Sequence, residues 1–304
     1  MKGKDFVSIR DLTGDDIWRL IHRAMELKRV PQQPLLSGKT LALLFEKPSL
    51  RTRVSFDVAM YQLGGRALYL SPAEVGLGSR EPVEDVARVL SRYVDGIVVR
   101  TLDQSVVERL AEYASVPVIN GLSDAEHPCQ AIADLLTIYE KKGALKGLTI
   151  AYVGDGNNVA SSLLMAAVLV GANFHFAGPL GYYPPDWALS YAWDVGLNGG
   201  GRLLTTNDPR AVMEGADVVY TDVWTSMGQE AEAERRQRVF ANYQVNMELL
   251  AHAKADAIVM HDLPAHRGQE ITAEVIDCPQ SVIFDQAENR LHAQKAILLE
   301  LLGK

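Results

Sequence analysis

The strongest constraint on the fold of this chain is its rhythm. Short apolar runs alternate with segments of helical spacing over nearly the whole length. "TLALLFEK", "RALYLS", "GIVVRT", "PVIN", "LTIAYVGD", "NFHFAG", "DVVYTD" and "AIVMHD" read as strands. "RTRVSFDVAMYQLGG", "EPVEDVARVLSRYV", "QSVVERLAEYA", "HPCQAIADLLTIYEKKG" and "NVASSLLMAAVLVG" read as helices between them. An opening helix over 11–28 places Ile17, Leu20, Ile21, Ala24 and Met25 on one face, with Thr13 or Asp15 as its cap. "AENRLHAQKAILLELLG" is a final helix. Strands and helices alternating at this length predict parallel sheets covered by helices on both faces. The expected architecture is α/β, with two doubly wound parallel-sheet domains over 1–140 and 147–286 and a break at "ALKG". The C-terminal helix, about 287–304, is expected to pack back on the first domain. A chain of 304 residues is long enough for two cores.

Charge and cysteine usage remove several classes. The formal net charge is -8 and no Lys/Arg block stands out, which argues against a nucleic-acid or anionic-membrane partner. Two cysteines, Cys129 and Cys278, suit a reducing compartment better than a disulfide framework. The N-terminus has no apolar signal-peptide core, and no apolar run approaches ~18 residues. A soluble cytoplasmic protein is expected. The few His and Cys do not show zinc spacing.

In open sheets of this kind ligands gather beyond the carboxyl ends of the strands. "PSLRTR" follows the first run and places Ser49, Arg51, Thr52 and Arg53 at a strand-to-helix turn. A helix N-terminus offers unpaired N–H groups and about half a positive charge. That suits a phosphate, although a capped helix with solvated arginines has the same pattern, and the P-loop spacing is absent. Arg100 ends "GIVVR". His127 and Gln130 open the helix at "HPCQ", where Pro128 fits the first turn; a histidine there also serves as a structural cap. "VGDGNN" looks like a dinucleotide fingerprint and fails twice. Its spacing is wrong, and "NFHFAGP" ends without an acid for a ribose. Asn157 and Asn158 instead offer amides to a zwitterion. Asp222 ends "DVVYTD" and Ser226 follows it; Asp222 pairs with an ammonium or caps a turn. "MHDLPAHRGQEIT" crowds His261, Asp262, His266, Arg267 and Glu270 behind another strand. "ERRQR", 234–238, reads as a solvated helix face. Jointly the strand ends are expected to line one cleft, fitting an anionic phosphate on one side and an amino acid on the other.

"SLRTR", "HPCQ", "VGDGNN", "DVWTSMGQE", "HDLPAHRG" and "AENR" stand in the order and spacing of the ornithine carbamoyltransferases, and the chain resembles that family over essentially its whole length. "SLRTR" and "HPCQ" are common to carbamoyltransferases, while "DVWTSMG" with "FANYQVN" resembles the ornithine branch. The resemblance implies transfer of a carbamoyl group from carbamoyl phosphate to the side-chain amine of L-ornithine. It implies carbamoyl phosphate on Ser49, the backbone of Leu50, Arg51 and Thr52, with Arg53 beside them. It places Arg100 and His127 on the carbonyl oxygen, Gln130 on the carbamoyl nitrogen, and Arg290 on the same ligand. Asn158, Asp222, Ser226 and Met227 would hold the α-amino and α-carboxylate groups of ornithine, and the Leu263 backbone would lie near its side-chain amine. Neither a metal nor an organic cofactor is implied. The implied assembly is a homotrimer with active sites near subunit interfaces.

The chain departs from the family pattern at three places. Leu50 replaces a frequent Thr, with little expected effect because a backbone N–H serves there. Gly76 stands in the Val75–Ser79 loop where relatives often carry Gln or His that reaches the neighbouring subunit. Asp262 stands where the family usually has Cys in H-C-L-P. It would join Arg100 and His127 as a catalytic group, acting as general base or amine-orienting group. Alternatively it shifts the substrate to putrescine or a different amino acid, or it turns away to pair with His266 or Arg267. Outside this chemistry the alternatives are a non-catalytic ligand-binding relative and a nicotinamide oxidoreductase.

Overall fold

The computed structural model describes residues 4–77, 80–226 and 228–303. The chain forms two compact units, Met1–Leu136 with Glu288–Lys304, and Thr137–Ala287. Both are α/β with parallel sheets and helices between the strands, as the alternation predicted. No helix among the described residues is long and apolar enough to cross a membrane.

The first unit has strands β1 (Thr40–Phe45), β2 (Arg66–Leu70), β3 (Gly96–Arg100) and β4 (Val118–Leu122) in the order β2-β1-β3-β4. Every pairing is parallel. β1 and β3 are buried along their whole length, which is why they read as unbroken apolar runs. β4 lies at the sheet edge, and the N-terminal segment covers it: Phe6 donates to Val118 O at 2.8 Å and accepts from Asn120 N at 2.9 Å. Helix Gly14–Arg29 starts with Thr13 and Asp16 in a reciprocal capping box, so Thr13 is the cap rather than Asp15. The final helix, Ile283–Leu302, begins earlier than "AENR" suggests. Its C-terminal part belongs to the first unit. Lys28 Nζ donates to Asn289 Oδ1 at 2.8 Å, and the buried Lys295 Nζ donates to Pro31 O at 2.7 Å, Gln62 Oε1 at 3.0 Å and Leu27 O at 3.2 Å.

The second unit has β5 (Thr149–Val153), β6 (Asn173–Ala177), β7 (Leu203–Thr206), β8 (Val218–Tyr220) and β9 (Ile258–Met260), ordered β7-β6-β5-β8-β9. β7 is not visible in the sequence pattern. It is a partly exposed edge strand, so "LLTT" needs no continuous apolar run. Helix Asn158–Leu169 is buried from Val159 to Val168 and is accordingly apolar on every face apart from Ser161 and Ser162, the first of which donates to Asn157 O at 2.9 Å. Tyr152 stacks on Tyr220 at 5.3 Å and on Phe176 at 5.9 Å, filling the layer beside the sheet. Gly156 has a packing reason. A Cβ there would lie 2.1 Å from Pro184 N and 2.2 Å from the Tyr183 carbonyl carbon, so no side chain fits.

The "ERRQR" segment departs from expectation. In helix Ala233–Phe240, Arg235 and Arg238 are exposed, but Arg236 is buried. Its Nη1 donates to Trp224 O at 2.8 Å and to Asp155 Oδ2 at 2.9 Å, and its guanidinium lies 5.0 Å from the Tyr182 ring centroid. One position per turn of a packed helix faces inward, and a charge there is retained only with partners.

Candidate active site

Each sheet reverses its winding direction once, and such a switch point opens a crevice at the strand carboxyl ends. In the first unit the reversal lies between β1 and β3. Ser49 occupies the N-cap position of helix Leu50–Gln62 with extended backbone, and its side chain makes no capping bond. The first-turn N–H groups are therefore not covered by Ser49, which suits an anion. The Leu50 side chain is 75% exposed and only its backbone contributes to this turn. Thr52 is buried, and its Oγ1 accepts from Arg290 Nη2 at 2.5 Å and from Arg100 Nη1 at 3.5 Å. With guanidinium donors on its oxygen, the Thr52 hydroxyl proton points elsewhere and can donate. Arg100 ends β3, where the register against β4 shifts after Val99; such an irregularity re-aims a side chain.

Arg290 also donates to Gln130 Oε1, and Gln130 Nε2 donates to Asp134 Oδ1 at 2.7 Å. His127, buried, immediately precedes helix Pro128–Lys142. Cys129 beside it is inert, because burial pushes its thiol up to about 12. Arg51 is half-buried. Arg53 is held elsewhere, its guanidinium 3.7 Å from the Tyr69 ring centroid. Gly76 is in the left-handed region at φ +57, while Gly78 and Ser79 lie outside the described residues.

In the second unit the reversal lies between β5 and β8. Asn157 caps helix Asn158–Leu169: its Oδ1 accepts from Val159 N at 3.0 Å and Ala160 N at 3.1 Å. Its Nδ2 donates to Asp222 Oδ2 at 2.6 Å, and Val223 N donates to Asp222 Oδ1 at 2.7 Å. Asn158 opens the helix, with Oδ1 accepting from Val159 N at 3.0 Å. Ser226 N donates to Gln229 Oε1 at 3.1 Å; Met227 lies outside the described residues.

Asp262 follows β9, the neighbour of β8, and is hydrogen-bonded side chain to side chain with Asp222. Burial, and then the adjacent Asp262, hold Asp222 well above the ordinary carboxylate range, with His261 and Asn157 offsetting part of this. His261 is fully buried, with Nε2 3.2 Å from Glu270 Oε1 and Nδ1 3.5 Å from Asp262 Oδ1. Burial alone would lower its pKa. Hydrogen bonds to Asp262 and Glu270, and the charges of Asp262 and Asp222, outweigh that and hold it up to about 9. Leu263 has φ +61, uncommon for a branched residue, and its N–H points at His261 Nδ1 at 2.9 Å, a bond that forms only while Nδ1 carries no proton and so competes with the Nδ1–Asp262 contact. His266 Nδ1 is 3.8 Å from Glu270 Oε2, and Arg267 pairs with Asp277 at 2.6 Å. Asp262 thus faces Asp222 and His261, not His266 or Arg267.

Residues 4–140 match the aspartate/ornithine carbamoyltransferase carbamoyl-P binding domain, and 146–301 match the Asp/Orn binding domain. The chain belongs to the aspartate/ornithine carbamoyltransferase family. It is 54% identical over 307 residues to the ornithine carbamoyltransferase of Pyrococcus abyssi, covering 100% of this chain and 97% of that one. The Bacillus subtilis ornithine carbamoyltransferase is 53% identical over 302 residues, covering 99% and 95%. The solved ornithine carbamoyltransferase of Pyrococcus furiosus superposes with a TM-score of 0.96 at 52% identity, covering 99% of this chain and 97% of that one.

Seen as an aspartate/ornithine carbamoyltransferase, the chain gathers Thr52, Arg100, Gln130 and Arg290 into one hydrogen-bonded network in its first unit. Asp222 and Asp262 meet in the second. The sequence pattern did not single out Asp134, or Asn157 as the group holding Asp222. The helical spacing of Gln130 and Asp134 was the available signal for the first. An N-cap asparagine before "NVASS" was the signal for the second.

Proposed function

We propose that the protein transfers the carbamoyl group of carbamoyl phosphate to the side-chain amine of L-ornithine, giving L-citrulline and phosphate. One observation carries this. The two switch points hold groups of opposite sign, guanidiniums and a hydroxyl in one unit and a carboxyl pair in the other. An anionic acyl donor and a cationic amine acceptor fit them respectively. Full-length relatives at 52–56% identity are named ornithine carbamoyltransferase, which favours ornithine over putrescine or another amino acid. One of them, from Pyrococcus furiosus, is named anabolic, which supports a place in arginine biosynthesis here.

In this reading 1–140 with about 287–304 binds carbamoyl phosphate and 147–286 binds ornithine. Ser49, the Leu50 N–H, Arg51 and Thr52 take the phosphate at the helix start, with Arg53 released from Tyr69 to join them. Arg290 bridges the network to the ligand. Arg100, His127 and Thr52 meet the carbonyl oxygen. Asn158, Asp222, Ser226 and Met227 hold the α-groups of ornithine, and the Leu263 backbone lies by the attacking amine.

The amine has an ordinary pKa near ~10.4 and attacks only after losing a proton. Its lone pair forms the N–C bond while the bond from carbon to the phosphate oxygen breaks, and that electron pair leaves with phosphate. Negative charge on the carbonyl oxygen is met by Thr52, Arg100 and His127, the kind of contribution worth ~10²–10³ in rate per donor. Asp262 accepts the proton that the ammonium gives up before attack, and the proton released from nitrogen as the N–C bond forms leaves with the phosphate. The chemistry needs no metal or organic cofactor.

Self-association is part of the proposal. Leu50, Val54 and Tyr61 are exposed on helix Leu50–Gln62, 75%, 49% and 71% respectively, a stripe suited to a homotrimer interface. Two free cysteines fit a cytoplasmic location. The test is a colorimetric citrulline assay with carbamoyl phosphate and ornithine, run beside putrescine and aspartate. Ureido product with ornithine is expected. No product with any amine refutes the enzyme, and greater turnover of another amine refutes the substrate. Light scattering on the same preparation gives the oligomer mass.

A further inference from the structure

Gln130 lies between a group that only donates and a group that only accepts. Arg290 Nη1 donates to its Oε1, and its Nε2 donates to Asp134 Oδ1 at 2.7 Å. A guanidinium has no acceptor, and a carboxylate has no proton to give. If the amide turned over, its NH₂ would face a cation and its oxygen would face an anion. The orientation is therefore fixed from both sides. Asp134 stands one helical turn beyond Gln130 in helix Pro128–Lys142 and is fully buried. A carboxylate is not kept in such a place without a polar function to serve. Both oxygen lone pairs of Gln130 matter, because one is taken by Arg290 and the other remains for a further donor.

We propose that Asp134 is a positioning residue. By holding Gln130 Nε2, it presents Gln130 Oε1 to the amino group of the acyl donor and sets the preference for carbamoyl over methyl acyl phosphates. The proposal rests on the reading that Gln130 meets the carbamoyl nitrogen. Carbamoyl and acetyl phosphate have nearly the same shape and differ by NH₂ against CH₃. The NH₂ has protons to donate and the CH₃ does not. An acceptor oxygen facing that position favours carbamoyl, whereas an NH₂ facing it repels the carbamoyl group and leaves the acetyl group indifferent. Selectivity of this kind comes from leaving a buried polar group unpaired with the wrong ligand.

The experiment compares wild type, Asp134→Asn, Asp134→Leu, Gln130→Ala and the Gln130→Ala/Asp134→Asn double variant. Readouts are KM for carbamoyl phosphate, the inhibition constant of acetyl phosphate, and KM for ornithine. Asp134→Asn removes one of the two constraints and leaves the amide held by Arg290 alone, so its Oε1 is presented less firmly and KM for carbamoyl phosphate should rise about tenfold, the loss of roughly one hydrogen bond. Asp134→Leu should raise it further. Acetyl phosphate inhibition and KM for ornithine should stay within about twofold, since neither ligand uses that oxygen. In the Gln130→Ala background Asp134→Asn should add nothing. Equal weakening of carbamoyl and acetyl phosphate by Asp134→Asn overturns the proposal, as does a full additive effect on top of Gln130→Ala. If Gln130→Ala itself leaves KM for carbamoyl phosphate unchanged, the assignment of Gln130 is what fails, and the role of Asp134 falls with it. Should the variants at Asp134 not fold, a crystal structure of wild type with carbamoyl phosphate decides. One Gln130 terminal atom within about 3.2 Å of the carbamoyl nitrogen, with the other still on Asp134, supports the assignment. An amide that has left Asp134 overturns it.

Discussion

Replacing Arg236 with methionine tests whether the half-site proposed for the amine is braced from behind. Arg236 ties the Trp224 carbonyl, next to the loop carrying Ser226, to Asp155, which follows β5 just ahead of Asn157. The ion pair is 2.9 Å long with both side chains under one-tenth exposed, at 7% and 8%. Removing one member of such a pair costs about 3–5 kcal/mol when the other charge is stranded. Glu232, half exposed at 3.2 Å, adds little. Asp155 limits the damage by taking a proton. Burial, offset in part by Arg236, already holds its carboxyl up to about 6 from the ordinary 3.8. A carboxyl whose folded pKa is raised contributes stability that is present below its unfolded pKa and lost as pH rises through the folded one. Without the guanidinium that folded pKa climbs further, so the variant keeps this contribution to higher pH. Its deficit against wild type should therefore be about 2 kcal/mol smaller near pH ~5 than near pH ~8. Urea denaturation at fixed protein concentration measures this. In steady-state assays KM for ornithine should rise about tenfold or more while KM for carbamoyl phosphate stays within about twofold. A deficit that is the same at both pH values, or equal weakening of both substrates, would refute the reasoning.

Asp262→Asn should lower kcat/KM for ornithine by about 10²–10³ with KM for carbamoyl phosphate unchanged, because the pair loses its basic position. Asp262→Cys should restore part of that loss, and ornithine kinetics identical to wild type in both variants would remove Asp262 from the chemistry. Thr52→Val keeps the shape and deletes the hydroxyl that Arg100 and Arg290 orient; single-turnover rates should fall about 10²-fold, and an unchanged rate rules out an oxyanion donor there. Lys295→Met removes the donor shared by Leu27 O, Pro31 O and Gln62 Oε1, and should cost about 1–3 kcal/mol in urea denaturation, chiefly by stranding the buried Leu27 carbonyl. A midpoint equal to wild type would show that those acceptors find other partners.

Much of the architecture is legible in the sequence because its determinants are local. β1 and β3 are buried on both faces, and a doubly buried strand writes itself as a continuous apolar run. β7 failed that test because an exposed edge strand does not need one. The strand-end rule located Ser49, Arg100, Asn158 and Asp222 correctly at the carboxyl ends of β1, β3, β5 and β8. It did not reveal that those strands flank the two winding reversals, since strand order is a tertiary property. Pairings were beyond local reasoning altogether. Thr52 meets Arg290 across 238 positions, Gln130 meets Arg290 across 160, and Asp155 meets Arg236 across 81. A helical-wheel argument shows that Arg236 shares a face with Phe240, but not which acid waits behind it.

The carboxyl pair changes what Asp262 means for an incoming amine. Two ionised carboxylates side by side would bind an ammonium strongly and hold its proton, which opposes attack. Burial, and then the adjacent Asp262, hold Asp222 well above the ordinary carboxylate range, which works against both carboxyls being ionised together. The added group therefore supplies a place for a proton without doubling the attraction. His261 connects this to the backbone. With Nδ1 unprotonated, the ring accepts the Leu263 N–H at 2.9 Å. With Nδ1 protonated, that bond cannot form, and Asp262 Oδ1 lies 3.5 Å from the same nitrogen. Leu263 sits at φ +61, a conformation that leucine adopts only when its surroundings hold it there. Protonation of His261 Nδ1 and the Leu263 N–H bond to it are thus alternatives, so a proton that reaches this cluster bears on the one side-chain contact holding the Leu263 N–H.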